Sequence, residues 1–291
     1  MLLTVPPIGA HVSSSGGLGR TALPAADAIG ATAVQVYVGN PRGWALSEGD
    51  PDQDARFREG CLARSMPAFV HASLLVNLGS PTPATVASSV ATLAHALRRG
   101  QAIGAAGVVF HAGSAVGADH AADAFRQVRA ALTPLLDAAA EAGGPRLLVE
   151  PSAGGGRSLA ARVEDLGPYL DAVDGHPWLG VCFDTCHAWA AGHDLATPGG
   201  MTATLDTLSA TVGTDRLRLV HANDSKDACG SRRDRHENIG AGTIGPAAFG
   251  ELLAHPAAAG VPLIVETPSK GTTGHLADIA ALRTLAAAKC H

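Results

Sequence analysis

The segment GVVFHAGSAVGADHAADAFRQVRAALTPLLDAAAEAGGPRLLVE, residues 107–150, carries two strand patterns with a helix pattern between them. Its two ends, residues 107–110 and 146–149, are short runs rich in Val, Leu and Phe. Residues 118–142, which separate the runs, are rich in Ala and Leu, a composition typical of helices. Strands that are apolar throughout are typical of parallel sheets covered by helices. The segment therefore predicts a strand-helix-strand unit with parallel strands.

The same alternation continues through the rest of the chain. Eight strand-helix units predict an α/β fold of the (β/α)8 TIM-barrel type, and 291 residues suit a single domain spanning residues 1–291. A doubly wound open sheet is the alternative, which the lack of G-x-G-x-x-G after the first run disfavours. The apolar runs are residues 8–12, 33–38, 68–70, 107–110, 146–149, 180–183, 217–220 and 262–265. The helix-like stretches are residues 18–29, 52–65, 83–103, 118–142, 159–173, 201–212, 247–254 and 275–289.

The overall composition limits the classes of function. Hydrophobic residues make up 46% of the chain and charged residues 16%, which excludes a disordered protein. The formal net charge of −5 lacks the basic surplus that is common in nucleic-acid binders. Any contact with DNA must therefore come from a local basic face or from bound cations. Three divalent ions would add about six positive charges where a substrate docks.

Three features of the sequence bear on location. The N-terminal MLLTVPPIGAHV has neither a charged start nor a long apolar segment, so we do not expect a signal peptide. No stretch approaches about 18 uninterrupted apolar residues, so no membrane span is expected. The 5 cysteines form no C-x-x-C pair, and their odd number favours a reducing cytoplasm over a disulfide framework.

Seven of the eight apolar runs end at an ionisable residue. In a barrel these positions are the carboxyl ends of strands, so their side chains converge on the face where barrel enzymes keep their sites. Each alone would be an ordinary core histidine or a helix cap. Together in a low-dielectric pocket they would repel and lose solvation, which divalent metal ions relieve. The seven residues are His11, His71, His111, Glu150, Asp184, His221 and Glu266.

Two further clusters add metal ligands. His187 follows Asp184 at i+3, and Asp234 and His236 stand two apart, so an extended loop aims both side chains the same way. The set contains histidines and carboxylates but no cysteine, which suits Zn²⁺ best, with Mn²⁺ or Fe²⁺ as alternatives. Nine ligands are too many for one ion and generous for two, so we expect three. The nine candidate ligands are His71, His111, Glu150, Asp184, His187, His221, Asp234, His236 and Glu266.

Eight segments spread over essentially the whole chain resemble the endonuclease IV family of metal-dependent abasic-site endonucleases. The segments DTCH and DRHENIGAGTIG are long enough to make the resemblance specific. The eight segments are GAHVSSSGGL (9–18), NPRGW (40–44), VHASLLVNLGSP (70–81), FHAGS (110–114), VEPSAGGG (149–156), VCFDTCHAWAAGHDL (181–195), HANDSKDACGSRRDRHENIGAGTIG (221–245) and LIVETP (263–268).

The resemblance implies a reaction and a metal arrangement. The family hydrolyses the phosphodiester 5′ to an abasic site, leaving a 3′-hydroxyl and a 5′-deoxyribose phosphate, and a related activity trims blocked 3′ ends. The implied nucleophile is a hydroxide bridging two ions, with Glu150 as the catalytic carboxylate that orients it and a third ion at the leaving 3′ oxygen. The implied sites are His71, His111 and Glu150; Glu150, Asp184, His221 and Glu266; and His187, Asp234 and His236.

The resemblance also implies how DNA is recognised. Arg42 matches a residue that enters the damaged duplex, and Leu74 and Leu75 lie in a loop that wedges into it. Apolar wedges kink DNA and help to expel a nucleotide, which costs less at an abasic site that has lost stacking and pairing. Lys226 and Arg232 belong to a short basic cluster in which we expect phosphate contacts.

Three residues near the ligands, His11, Asn223 and Asp224, are expected to orient them rather than to bind metal. Three positions depart from many relatives: Leu74 where an aromatic is common, Gly39 where Lys is common, and His193 where Tyr is common. These departures leave metal ligation alone but place DNA affinity in question. The implied partner is double-stranded DNA with abasic sites or blocked 3′ ends, bound by a monomer in a bacterial cytoplasm beside the nucleoid.

Two other functions are compatible with parts of the pattern. A sugar isomerase or epimerase on a related barrel would use histidine and carboxylate ligands at the same face, but with one or two metals and a Lys or carboxylate base. The additional cluster of His187, Asp234 and His236 supplies more metal ligands than one or two metal ions require. A non-catalytic protein that binds damaged DNA or stores metal is the second alternative.

Overall fold

The eight apolar runs form one closed parallel barrel. The computed structural model describes residues 5–288, and each barrel strand in it pairs in parallel with its two neighbours. The last strand pairs with the first, which confirms the (β/α)8 barrel and excludes the open sheet. The barrel strands are β1 (Ile8–His11), β2 (Ala33–Val36), β3 (Ala68–His71), β4 (Gly107–His111), β5 (Arg146–Glu150), β6 (Leu179–Asp184), β7 (Leu217–His221) and β10 (Leu263–Val265). Two short strands, β8 (Asp224–Ser225) and β9 (His236–Glu237), pair as an antiparallel hairpin between β7 and β10.

Helices alternate with the barrel strands along the chain, and α9 follows the last strand. Their starts follow local rules: the Asp50 carboxylate accepts hydrogen bonds from the N–H groups of Asp52 and Gln53, and Pro51 occupies the first position of α2. The helices are α1 (Leu23–Ala28), α2 (Pro51–Ala63), α3 (Pro83–Ala102), α4 (Ala121–Glu141), α5 (Leu166–Asp171), α6 (Thr185–Ala190), α7 (Gly200–Val212), α8 (Pro246–Ala254) and α9 (Thr273–Ala287). No helix in residues 5–288 is long and apolar enough to cross a membrane.

Two helix predictions differ from the structure. The stretch 18–29 divides into a π-helical turn at Leu18–Ala22 and α1, because Pro24 has no N–H to continue the helical ladder. The stretch 159–173 becomes helical only at residue 163, since the Asp165 carboxylate accepts hydrogen bonds from the N–H groups of Ala161 and Arg162. Helix α6 was not predicted at all. Lys289, the predicted end of the last helix, lies outside the described residues, as does Cys290.

Side chains inside the barrel form layers, because residues two apart on a strand point the same way. The interior layer is apolar, and the layer two residues further along each strand is polar. This second layer, the rim layer, occupies the carboxyl ends of the strands. The interior layer consists of Ala33, Phe69, Val109, Leu148, Cys182, Leu219 and Ile264. The rim layer consists of His11, Gln35, His71, His111, Glu150, Asp184, His221 and Glu266.

Several predicted strands end one residue too early. Residues 71, 111, 150, 184 and 221 are the last residues of their strands and do not follow them. Their backbones are therefore fixed by the sheet ladder, and their side chains start from rigid positions. Close approach at the first strand requires a glycine, since a Cβ on Gly9 would lie 1.6 Å from the Ala33 carbonyl oxygen.

Candidate metal centre

Glu150 lies at the centre of the rim layer and is fully buried. Its Oε2 atom is 3.4 Å from His71 Nε2 and 3.5 Å from His111 Nε2. Its Oε1 atom is 3.1 Å from His221 Nδ1 and 3.2 Å from His187 Nδ1. One carboxylate from β5 therefore contacts four imidazoles, as a ligand shared between metal ions would.

A second group surrounds His221 on β7. Its Nδ1 atom lies 3.3 Å from Glu266 Oε2 and 3.8 Å from Asp184 Oδ2, besides its contact with Glu150. Asp184 serves two neighbours at once. Its Oδ1 atom accepts a hydrogen bond from the His187 N–H at 2.8 Å and so caps α6. Its Oδ2 atom faces the cluster and accepts a hydrogen bond from Asn223 Nδ2 at 2.8 Å.

The third group stands at the edge of the cluster. His187 Nε2 is 3.2 Å from Asp234 Oδ2, and His236 Nε2 is 3.0 Å from Asp234 Oδ1. His236 Nε2 is also 3.7 Å from Asp184 Oδ2, which links this group to the second. The side chain of Asp234 is 49% exposed, whereas that of His187 is 3% exposed, so this group opens toward solvent. The structure thus brings all nine candidate ligands together in three adjoining groups.

Backbone carbonyl oxygens fix which ring nitrogen faces the cluster. The Nδ1–H group of His71 donates to the Ala72 oxygen at 2.8 Å, and that of His187 donates to the Pro151 oxygen at 3.0 Å. His236 Nδ1 lies 3.3 Å from the Glu266 oxygen in the same manner. In its neutral form, each of these rings therefore presents the Nε2 lone pair to its neighbours. Hydrogen bonds of this kind are typical of histidines that bind metal.

Three buried ligand atoms lack hydrogen-bond partners within the described part of the chain. They are Glu150 Oε2, His187 Nε2 and His236 Nε2. Each lies within 3.5 Å of another candidate ligand but makes no hydrogen bond with it. Buried polar atoms without partners are costly, and here each of them faces another candidate ligand. Carboxylate oxygens and imidazole nitrogens at these distances are suitable ligands for divalent metal ions. The residues present therefore fit the metal cofactor that the sequence resemblance implies.

The acids of the cluster differ in their pKa values. Burial acts to raise the pKa of the Glu150 carboxyl, but the charge of His221 and the hydrogen bonds with His187 and His221 outweigh it. They hold the pKa of Glu150 well below its usual range. Burial raises the pKa of Asp184 above its usual value. The central carboxylate is therefore ionised, whereas burial and the charge of Glu150 oppose ionisation of its neighbour on β6.

The histidines of the cluster also differ in their pKa values. Burial lowers the pKa of His111 to about 4, so this ring is neutral and its lone pair is available. Burial also acts to lower the pKa of His236, but the close contact with the Asp234 carboxylate and the charge of Asp184 outweigh it and raise that pKa to about 9. Without metal, the ring of His236 therefore holds a proton that a metal ion would have to displace.

Sequence patterns predict no role for Gln35, the one rim-layer residue that is neither histidine nor carboxylate. Its amide contacts His11, Glu266 and His221. The available signal was a lone polar side chain inside the apolar run 33–38. Tyr37, in the same run, was also missed, and its ring centroid lies 4.3 Å from that of His11 and 5.6 Å from that of His71.

His11 and Asp224, both expected to orient ligands, make different kinds of contact. His11 Nδ1 lies 3.3 Å from Glu266 Oε1, so it touches a candidate ligand directly. Asp224 is fully buried and contacts the backbone instead: its carboxylate accepts hydrogen bonds from the N–H groups of Gly240, Ile244 and Gly245. Those bonds fold the segment that follows His236 back against β8.

The predicted DNA-contacting loops adjoin the same cleft. The cleft has a volume of about 770 Å³, and its lining includes His11, Tyr37, Arg42, Leu74 and Glu266. The side chains of the two wedge leucines are exposed: Leu74 by 40% and Leu75 by 37%. Large apolar side chains beside a polar cleft are typical of binding surfaces.

The basic cluster near the third group divides into paired and available cations. Arg233 and Arg235 both pair with Asp227. Lys226 lies 3.9 Å from Glu237, a loose contact, and Arg232 has no ion-pair partner among residues 5–288. The backbone of Arg232 has φ of 56°, a left-handed conformation that is uncommon for arginine. Lys226 and Arg232 therefore remain the candidates for phosphate contact.

Comparison with known proteins identifies the family. A family model described as a xylose isomerase-like TIM barrel matches residues 23–285. A probable endonuclease 4 from Streptomyces coelicolor is 56% identical over 279 residues, which cover 96% of this chain and 95% of that protein. The chain belongs to the endonuclease IV family. A crystal structure of endonuclease IV from Thermus thermophilus matches with a TM-score of 0.82 and 35% identity, covering 96% of this chain and 98% of that one.

Family membership confirms the prediction of an endonuclease IV-type enzyme, a hydrolase of the deoxyribonuclease class. A D-tagatose 3-epimerase-like protein also matches, with a TM-score of 0.71 over 97% of this chain, but at 16% identity. That likeness shows a shared fold alone. The barrel architecture therefore does not distinguish the endonuclease IV family from sugar epimerases, whereas sequence identity does.

The three departures from the endonuclease IV pattern fall in different surroundings. Leu74 lines the cleft, so its lack of an aromatic ring changes the surface of the cleft. A Cβ on Gly39 would meet nothing nearer than 3.9 Å, so the glycine leaves open space rather than relieving a clash. His193 is buried and its Nε2 atom accepts a hydrogen bond from the Val163 N–H at 3.2 Å, which gives it a packing role.

Proposed function

We propose that this chain repairs DNA by hydrolysing the phosphodiester 5′ to abasic sites, leaving a 3′-hydroxyl and a 5′-deoxyribose phosphate. The observation that carries the proposal is the meeting of nine candidate ligands around the buried carboxylate of Glu150. Membership of the endonuclease IV family supports the same reaction. Trimming of blocked 3′ ends is a second expected activity. Like incision, it breaks a bond between phosphorus and a 3′ oxygen and leaves a 3′-hydroxyl.

The proposed cofactor is Zn²⁺ at three sites, with Mn²⁺ or Fe²⁺ able to replace it in part. Oxygen and nitrogen donors without cysteine favour these ions. When bound, such ions would activate water at neutral pH and neutralise charge on the phosphate. The proposed sites are His71, His111 and Glu150; Glu150, Asp184, His221 and Glu266; and His187, Asp234 and His236.

The residues of the chain would supply position and charge. The ionised Glu150 carboxylate accepts hydrogen bonds, and in this role it would orient the attacking water against the phosphorus. Because it stands at the end of β5, its position depends on the sheet ladder rather than on a loop. Ligands fixed on barrel strands keep the site in its reactive arrangement before substrate arrives.

Recognition of the lesion is assigned to the two loops beside the cleft. Arg42, Leu74 and Leu75 would enter the duplex and favour extrusion of the abasic nucleotide, which has no base to unstack. Lys226 and Arg232 would contact the phosphate backbone. Bound cations would offset the net charge of −5 where DNA docks. The proposed working form is a monomer in the bacterial cytoplasm, associated with the nucleoid through DNA.

An incision assay on a duplex with one abasic site tests the proposal. The purified, metal-loaded protein should cut 5′ to the lesion and leave an end that a DNA polymerase extends. The variant Glu150→Gln should bind the duplex without cutting it, and Glu59→Gln, on the exposed face of α2, should cut normally. A sugar epimerase would leave the DNA intact but convert a ketohexose. A pure damaged-DNA binder would shift the duplex without cutting, and either result contradicts the proposal.

A further inference from the structure

Gln35 occupies a place in the rim layer where every other member is a histidine or a carboxylate. It lies in the barrel strand β2, and its side chain is fully buried. Its Cα is in register with His11 on β1, so both side chains point toward the barrel axis. A buried amide carries two N–H donors and one acceptor oxygen, and each normally finds a partner.

All the donor and acceptor groups of the amide meet residues of the metal centre. Gln35 Nε2 lies 2.7 Å from Glu266 Oε1 and 3.0 Å from His11 Nδ1. Gln35 Oε1 lies 2.9 Å from His221 Nε2. Two of these partners, Glu266 and His221, are candidate metal ligands.

The carboxylate of Glu266 determines which way the amide points. A carboxylate oxygen accepts hydrogen bonds and cannot donate them when ionised, so the NH2 group must face Glu266. The amide oxygen then faces His221, and the Nε2 atom of that ring must carry the proton. In the neutral ring, the lone pair of His221 is thereby left on Nδ1, the atom that faces Glu150, Asp184 and Glu266.

The same amide orients Glu266. Its hydrogen bond holds Oε1 toward β2, which leaves Oε2 facing His221 Nδ1 at 3.3 Å. In His71 and His187, a backbone carbonyl oxygen fixes the ring. His221 differs because it presents Nδ1 to the cluster and not Nε2. Among the described residues, the acceptor that orients its ring is the Gln35 side chain and not a backbone carbonyl oxygen.

We propose that Gln35 is a positioning residue that presents His221 Nδ1 and Glu266 Oε2 together to one metal ion. This inference rests on the proposed metal centre. It does not require that the substrate be abasic DNA. Outer hydrogen bonds of this kind contribute about 10- to 100-fold to metal affinity.

The variant Gln35→Met tests the role, because methionine has a similar shape but neither donates to Glu266 nor accepts from His221. Gln35→Ala is the second variant, since it leaves space for water and is informative if the first fails to fold. The matched control is Gln127→Met on α4: the Gln127 amide donates to the Ser80 carbonyl oxygen at 3.0 Å and contacts none of the nine candidate ligands.

The primary measurement is Zn²⁺ affinity of the metal-free protein, obtained by competition with a chromophoric chelator. Thermal unfolding of the same metal-free samples reports whether the fold persists. We expect one binding step to weaken by about 10- to 100-fold in both Gln35 variants and to be unchanged in the control. We also expect the Mn²⁺ concentration that gives half-maximal nuclease activity to rise, with activity restored at high Mn²⁺. A purely structural role would not be reversed by added metal.

The outcomes separate this inference from the proposed function. If the wild-type protein binds Zn²⁺ and cuts abasic DNA while folded Gln35 variants bind Zn²⁺ as tightly, the positioning role is wrong and the function stands. If the wild type binds Zn²⁺ without cutting DNA while the variants bind weakly, the positioning role stands and the function is wrong. Absence of Zn²⁺ binding by the wild type overturns both.

Discussion

The backbone N–H of Leu74 donates a hydrogen bond to the carbonyl oxygen of Pro41 at 2.9 Å. The Ser73 hydroxyl donates to the same oxygen at 3.0 Å. The loop after β2, which carries Arg42, and the loop after β3, which carries the wedge leucines, are therefore joined into one unit beside the metal centre. A displacement of either loop would move the other.

Arg42→Ala and Leu74→Ala should weaken binding to an abasic duplex more than they slow cutting at saturation. We expect KM to rise roughly 10-fold for each, equivalent to about 1.4 kcal/mol, because these side chains are proposed to contact DNA rather than the reacting phosphate. Since the loops are joined, the double variant should cost less than the sum of the two single changes. Leu62→Ala, which alters a 72% exposed leucine on α2, is the control. Unchanged affinity in both single variants would remove these loops from the recognition account.

Glu266→Gln should remove one metal site and abolish cutting while the barrel remains folded. The substitution keeps the shape of the side chain, but it replaces the ionised oxygen that lies 3.3 Å from His221 Nδ1 with a neutral amide. Loss of activity by at least 100-fold, or about 2.7 kcal/mol of transition-state stabilisation, is expected. Circular dichroism should match that of the wild type. Near-normal turnover by this variant would show that the ligand assignment is incorrect.

Metal affinity should increase with pH up to about 9. In the metal-free protein, the raised pKa of His236, about 9, means that its ring is protonated at neutral pH. The proton must leave before the ring binds metal, so binding releases protons and weakens as pH falls. Titrations with Zn²⁺ at several pH values between 6 and 9 measure this. An affinity that does not change over that range would contradict the proposed role of His236.

Asp224→Ala should impair the third metal group without touching a ligand. The Asp224 carboxylate accepts hydrogen bonds from three N–H groups in the segment that follows His236, and its loss leaves buried donors unsatisfied. We expect a loss of about 2–4 kcal/mol in the free energy of unfolding and weaker binding of one ion. Asp215→Ala, at an exposed position before β7, is the control. Equal unfolding midpoints and metal contents in the two variants would argue against the role of Asp224.

The barrel and the candidate ligands were predictable because both depend on local pattern. Apolar runs mark the strands, and residues at the ends of parallel strands meet at one rim whatever their separation in the chain. Gln35 was not predictable in the same way. It is neutral, it lies within an apolar run, and its partners stand 24, 186 and 231 positions away. Its role became visible only when the closed barrel placed those partners around it.

Two other misses have local causes. Helix α6 starts directly at the end of β6, and the sequence pattern predicts its cap, Asp184, only as a ligand, although its two oxygens serve both purposes. The helix predicted over residues 159–173 starts later because the Asp165 side chain competes with the helical ladder for backbone N–H groups. Both cases involve carboxylates whose hydrogen bonds to backbone cannot be inferred from hydrophobic periodicity.

The metal content per chain of the purified protein, determined by mass spectrometry after removal of free ions and paired with incision of an abasic duplex by the same sample, tests the central claim most directly. We predict about three divalent ions per chain, loss of incision on chelation, and recovery of incision when Zn²⁺ is returned. A protein that carries no divalent metal, or that cuts the duplex equally well after complete chelation, would contradict the account.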